Sequence, residues 1–171
     1  MDHTRLIKLA RRIDATADED QKLLKRSLEM AELRRKGATE LHQICAGFAN
    51  VLNASLTKIK LELDPPDYSP DKFNPNGVNL FQLNAHGRIV QIEFETPEHM
   101  VSTENFRVPY VLEGSIRCFN QDLLDREIIE EQLLFYCMER KRSLWRYFEG
   151  RTYRTGHFDA DYLAGLMENL V

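Results

Sequence analysis

A long apolar stripe on one helix constrains the fold of this chain more than any other feature of the sequence. Apolar residues recur at spacings of three, four or seven, which predicts one amphipathic helix over Ala17–Leu56. The stripe consists of Leu24, Leu28, Ala31, Ala38, Leu41, Cys45, Phe48 and Leu52. A helix is held mainly by what its apolar face packs against. The rest of the chain must therefore supply a partner surface.

The residues around this stripe predict where the helix begins and where it changes character. Thr16 and Glu19 fit a capping box, which places the helix start after a separate short basic helix, Thr4–Ile13. Gly37 marks a kink or a break into two helices. The more apolar half, Leu41–Leu56, is expected to be buried. The first half either overhangs the domain and pairs with a second copy as a coiled coil, or folds back on its own sheet.

Beyond residue 57 the apolar period changes from 3.6 to two, which is typical of strands with one wet face. Leu133–Met138 is apolar on both faces, which predicts an interior strand. The other predicted strands are Lys58–Leu63, Val78–Leu83, Arg88–Glu95, Tyr110–Phe119, Ser143–Phe148 and Arg151–His157. Pro65–Gly77 is predicted to be a long loop that Tyr68 and Phe73 pin to the body, and Gln121–Ile129 fits either a helical turn or a loop. Asp159 is a good N-cap for a last helix.

The fold class predicted by this order is α+β. N-terminal helices, one of them long and amphipathic, pack on a mainly antiparallel meander sheet of about six strands, and a C-terminal helix follows. At 171 residues the chain is expected to be a single domain, with a helical part over 1–56, the sheet over 57–158 and the last helix over 159–171.

Composition favours an ordinary protein of the cytoplasm. Apolar residues make up 43% of the chain, charged residues 29%, and the net charge is −4, which argues against wholesale nucleic-acid binding. The three cysteines share no CxxC spacing, so a reducing compartment is favoured over a disulfide framework or a zinc site. No stretch has the apolar core of a signal peptide or the length of a membrane span. Secretion and membrane spanning are therefore disfavoured.

Charge is distributed unevenly along the sheet region. Residues 64–138 hold 5 basic against 13 acidic side chains, whereas residues 140–158 hold 6 against 1. A two-residue turn at Glu149-Gly150 would pair Arg146 with Tyr153 and Trp145 with Arg154 across the last hairpin. Such alternation of basic and aromatic residues is typical of platforms that bind single-stranded nucleic acid. The candidate binding residues are Arg140, Arg142, Trp145, Arg146, Tyr147, Tyr153 and Arg154. Such pairs also stabilise exposed hairpins without any ligand.

Catalytic and ligand motifs do not stand out in this sequence. HExxH, GxSxG, the P-loop and GxGxxG are all absent, and no histidine pair has metal-ligand spacing. We therefore expect no metal and no cofactor. Two residues, His42 and Tyr110, are candidates for a pocket between the long helix and the sheet. Glu93 and Glu95 share the outward face of one strand, where carboxylates usually serve solubility.

Three functions follow from these observations, in order of preference. The first is a non-enzymatic interaction module that forms a homodimer through the long helix. Such a module could instead bind a different protein, and a small-ligand cavity could lie between helix and sheet. The second, less favoured, is single-stranded nucleic-acid binding through the basic hairpin. The third is an enzyme with its pocket between helix and sheet. An enzyme is the less expected outcome, because no catalytic motif supports it.

Overall fold

The protein is an α+β structure that consists of one antiparallel meander sheet and helices that precede and follow it along the chain. The computed structural model describes residues 3–98, 108–121 and 130–171. These residues form α1 (His3–Ser55) and α2 (Ala160–Glu168). The strands are β1 (Glu62–Asp64), β2 (Asn79–Ala85), β3 (Arg88–Glu95), β4 (Tyr110–Asn120), β5 (Glu130–Glu139), β6 (Arg142–Phe148) and β7 (Thr155–His157). They form one antiparallel sheet in chain order, as the alternating pattern predicts.

The described sheet has seven strands where about six were expected. Its first and last strands, β1 and β7, are three residues long, and strand ends are the least certain part of any sequence-based assignment. The strand predicted over Lys58–Leu63 begins only at Glu62. The segment 121–129, for which helix and loop were both open, lies outside the described residues from position 122 onward.

Helix α1 is continuous, and the prediction of two helices separated by a capping box is wrong. The chain divides into two compact units, Met1–Leu33 and Arg34–Val171, and α1 contributes to both. The Thr16 hydroxyl donates to the Arg12 carbonyl at 2.9 Å, one turn back within the helix. A threonine inside a helix commonly makes this bond. The capping pattern therefore does not start a helix here.

Gly37 permits close packing of α1 on the sheet rather than a break in the helix. In the unit Arg34–Val171, a Cβ at Gly37 would lie 2.6 Å from Cδ2 of Tyr136. Trp145 donates from Nε1 to the Gly37 carbonyl at 2.7 Å, and Tyr136 donates from its hydroxyl to Glu40 at 2.8 Å. The missing side chain thus lets two large aromatic residues of the sheet reach the helix backbone.

The sheet alternates as predicted, with one face toward α1. Val90, Ile92 and Phe94 of β3 are buried, while the intervening Gln91 and Glu93 are only partly buried. Residues 134–137 of β5 are all buried, on both faces of the sheet, and β5 lies between β4 and β6, which confirms its predicted interior position. Its side chains alternate between the face toward α1 and a small apolar cluster on the opposite face. That cluster consists of Tyr110, Phe135, Cys137 and Phe148, with Val108 packed against it.

A tight hairpin turn and a long loop connect strands of the first half of the sheet. The β2–β3 turn consists of His86 and Gly87, both at positive φ, 52° and 90°, which is the backbone of a tight two-residue hairpin turn. In the loop Pro65–Gly77, Tyr68 stacks on His42 and Phe73 stacks on Phe94. Both aromatic residues therefore pin the loop, as expected from the sequence.

The second helix begins where the sequence indicates. The Asp159 carboxylate accepts a hydrogen bond from the Tyr162 backbone N–H at 2.9 Å, and Leu163, Leu166 and Met167 are buried. Tyr162 stacks on Tyr147 with ring centroids 3.8 Å apart. Helix α2 therefore packs on the same face of the sheet as α1. In the described part of the chain, neither helix contains a stretch apolar enough to cross a membrane.

Candidate functional site

The basic hairpin closes differently from the predicted two-residue turn. Phe148 pairs with Thr155 and Tyr147 with Gly156, so the loop between β6 and β7 runs over residues 149–154. Glu149 donates its N–H to the Arg154 carbonyl at 2.8 Å, and Tyr153 donates its N–H to the Glu149 carbonyl at 2.9 Å. The predicted cross-strand pairs of Trp145 with Arg154 and of Arg146 with Tyr153 are therefore wrong.

The aromatic residues of this hairpin do not share one exposed surface. Trp145 is only 2% exposed and faces α1, and Tyr147 is half-buried against Tyr162 of α2. Tyr153 is 65% exposed, in the loop, with a φ of 56°. Nucleic-acid platforms need several rings open to the bases. The hairpin presents one exposed ring among the predicted candidates.

The arginines of the hairpin are distributed among different surroundings. Arg146 forms an ion pair with Glu139, on the neighbouring strand. Arg140 and Arg142 lie exposed at the β5–β6 turn, and Arg154 lies exposed in the next loop. Because that turn and that loop lie at opposite ends of β6, these arginines do not form one basic patch, and they lack the interleaved rings that suggested stacking on bases.

The two pocket candidates lie on opposite faces of the sheet. His42 is buried on α1 between Tyr68 and Phe81, and its Nε2 lies 2.7 Å from the Pro65 carbonyl oxygen. Tyr110 packs on Phe135 in the cluster on the other face, with ring centroids 4.7 Å apart. A shift in register between Tyr110 and Leu112 turns Tyr110 away from α1. These residues cannot line a common pocket.

An open cavity of about 380 Å³ lies on the sheet face that carries Tyr110. Its lining combines carboxylates with apolar side chains: Glu93, Glu95 and Glu113 with Val78, Leu133 and Phe135 among others. The sequence indicated the outward carboxylates of β3. It did not indicate that Tyr110 and Phe135 would join them, because the register shift in β4 leaves no signal in the apolar period.

The N-terminal unit presents an exposed apolar stripe. Seven large apolar residues of the segment His3–Leu33 lie 42–62% exposed, on a helix whose first 27 described residues are all exposed. They are Leu6, Leu9, Ile13, Leu24 and Leu28, with Ile7 and Leu23 to either side. The apolar spacing predicted Leu24 and Leu28 as part of the stripe, whereas Leu6, Leu9 and Ile13 were assigned to a separate short helix. Because α1 is continuous, the stripe extends over both.

The three thiols are buried rather than reactive. Burial raises the pKa of Cys45 from its ordinary value to about 12. Burial does the same at Cys118 and Cys137, to about 12 each. All three are free cysteines. The thiolate is the nucleophile, so none of the three is prepared for nucleophilic catalysis at neutral pH.

We expect the native thiols to resist a thiol-specific chromogenic reagent at pH 8. The pKa values of about 12 keep the thiols protonated, and burial excludes the reagent. In denaturant, all 3 cysteines should react. Rapid labelling of even one thiol in the native protein would contradict this assignment, and mass spectrometry of the labelled protein would identify the residue.

No group of histidine, cysteine and acidic side chains within residues 3–98, 108–121 and 130–171 is arranged to hold a metal ion. No protein-family model matches the chain, no curated protein matches it, and no solved structure matches it. The function must therefore be argued from the chain itself.

Proposed function

We propose that this chain is a non-enzymatic interaction module that forms a homodimer through the segment His3–Leu33 of α1. The observation that carries the proposal is the exposed stripe of that segment, in which Leu24 and Leu28 are each 62% exposed. An isolated helix of this kind is marginal in water, because most helix stability in proteins comes from packing of the apolar face. The segment spans about four heptads, enough for a stable coiled coil.

A second copy of the chain is favoured over a membrane or a nucleic acid as the occupant of this stripe. Residues 3–33 carry 7 basic and 6 acidic side chains. Helices that lie on anionic surfaces concentrate basic residues on the polar face. A balanced polar face suits another helix of the same composition. The three free cysteines are compatible with the reducing cytoplasm as the compartment.

The alternatives have less support. Nucleic-acid binding through residues 140–158 would rest on the exposed Arg140, Arg142 and Arg154, since Trp145 and Tyr147 contribute to packing. An enzyme pocket between helix and sheet would rest on His42 and Tyr110, which lie on opposite faces of the sheet. The helix stripe requires a partner for its own stability, and neither alternative provides one.

The proposal is tested by the mass of the protein in solution. Sedimentation equilibrium over a wide range of protein concentration should give twice the mass of one chain, falling toward one chain on dilution. Moderate salt should leave the dimer intact, because burial of the apolar stripe provides most of the association energy. A mass of one chain at every concentration would exclude the homodimer.

A further inference from the structure

Between Ala10 and Ala31 the apolar stripe of the N-terminal unit has the same spacing in both directions, and Leu6 extends the stripe beyond this symmetric part. From its first alanine to its last, successive residues lie three, four, seven, four and three positions apart. These residues are Ala10, Ile13, Ala17, Leu24, Leu28 and Ala31. They lie on one face of the continuous helix α1. The centre of this symmetric pattern falls between Asp20 and Gln21.

The charges of the same segment alternate in blocks around nearly the same centre. Four basic residues come first, then four acidic, then three basic, then two acidic. The blocks are Arg5, Lys8, Arg11 and Arg12; Asp14, Asp18, Glu19 and Asp20; Lys22, Lys25 and Arg26; Glu29 and Glu32. Reversal of the segment about this centre therefore places the basic residues of 8–12 beside the acidic residues of 29–32, and the acidic residues of 14–20 beside the basic residues of 22–26.

We infer that the two copies of this segment pair antiparallel, crossing near Asp20 and Gln21. The inference rests on the proposed homodimer and adds its orientation and register. In this arrangement Ile13 lies level with Leu28 of the second copy, and Ala17 lies level with its Leu24. Each charge block then lies beside a block of opposite sign.

A parallel arrangement in register would place like charges side by side. Arg11 and Arg12 would lie beside their own copies, and so would the acidic block. Charged residues that flank the apolar interface commonly determine the orientation of the helices in a coiled coil.

The orientation is tested by disulfide crosslinking of two single-cysteine variants, Ile13→Cys and Leu28→Cys. The native thiols at Cys45, Cys118 and Cys137 are buried and can be retained. In the antiparallel dimer, a mixture of the two variants should form a covalent dimer about tenfold or more faster than either variant alone, because the two cysteines are held together only in the mixed pair. Peptide mass spectrometry should locate the bond between positions 13 and 28.

The possible results separate the orientation from the dimer itself. Rapid crosslinking of Ile13→Cys with its own copy, and of Leu28→Cys with its own copy, would overturn the antiparallel inference while the homodimer stands. Equally slow crosslinking in all samples, together with a solution mass of one chain, would overturn the homodimer and the orientation with it. Equally slow crosslinking with a dimeric mass would place the interface elsewhere and overturn the inference.

Discussion

Replacement of Gly114 by alanine is expected to lower the free energy of unfolding of the unit Arg34–Val171 by about 3 kcal/mol. Gly114 lies on β4 opposite Phe94 of β3. A Cβ at this position would lie 2.0 Å from the Glu93 carbonyl oxygen and 2.9 Å from the Phe94 Cα. Both atoms belong to the backbone of an interior strand, so the contact can be relieved only by moving β3 away from β4.

The loss is measured by urea unfolding at one fixed protein concentration. Trp145 reports on the unit, because the indole is buried against Gly37. Gly47→Ala is the matched control, since a Cβ there meets nothing within 4 Å and the position is helical. That control should raise stability by about 0.5–1 kcal/mol. A Gly114→Ala protein as stable as the native one would show that β3 and β4 are not this close.

The elements of this fold could be predicted from the sequence because their signals are local. The period of two over Arg88–Glu95 identifies β3 and its buried face, and Asp159 identifies the start of α2. Short connections between successive strands then favour an antiparallel meander. The long helix was recognised from the spacing of its apolar residues, and the buried half was correctly placed at its C-terminal end.

The candidate site could not be predicted to the same extent, because it depends on contacts between distant residues. Gly37 was interpreted as a kink or a break in the helix, yet its role depends on Tyr136 and Trp145, about a hundred positions away. The face of Tyr110 depends on a register shift against β5. The six-residue loop after Phe148 depends on hydrogen bonds of Glu149. None of these contacts leaves a periodic signal along the chain.

The orientation of the proposed dimer could be inferred only after α1 was known to be one continuous helix. Read as two helices, the stripe had no symmetry, because the capping pattern at Thr16 separated Ile13 from Ala17. Once α1 runs without interruption from His3 to Ser55, the apolar spacing and the charge blocks share nearly one centre. The capping pattern at Thr16 predicts a helix start, whereas the apolar spacing predicts one continuous helix, and the folded chain adopts the second.

The double variant Leu24→Glu/Leu28→Glu is expected to dissociate the homodimer. Each leucine is 62% exposed in the single chain, and burial of a leucine side chain provides about 1.5 kcal/mol or more. Both copies lose two leucines, so the dissociation constant should rise by roughly four orders of magnitude. Sedimentation equilibrium should then give the mass of one chain at concentrations where the native protein is a dimer.

Dissociation of the dimer should also lower the helix content of the protein. Without a partner, the segment His3–Leu33 becomes a marginal helix, so far-ultraviolet circular dichroism should lose helical signal while Trp145 fluorescence stays native. Leu23→Glu is the matched control for Leu24→Glu, because Leu23 is 61% exposed on the same helix but projects about 100° away from Leu24. The control should keep the dimeric mass. If Leu23→Glu and Leu24→Glu weaken the dimer equally, the dimer interface does not follow the apolar stripe. If neither variant weakens the dimer, the interface lies outside the segment His3–Leu33.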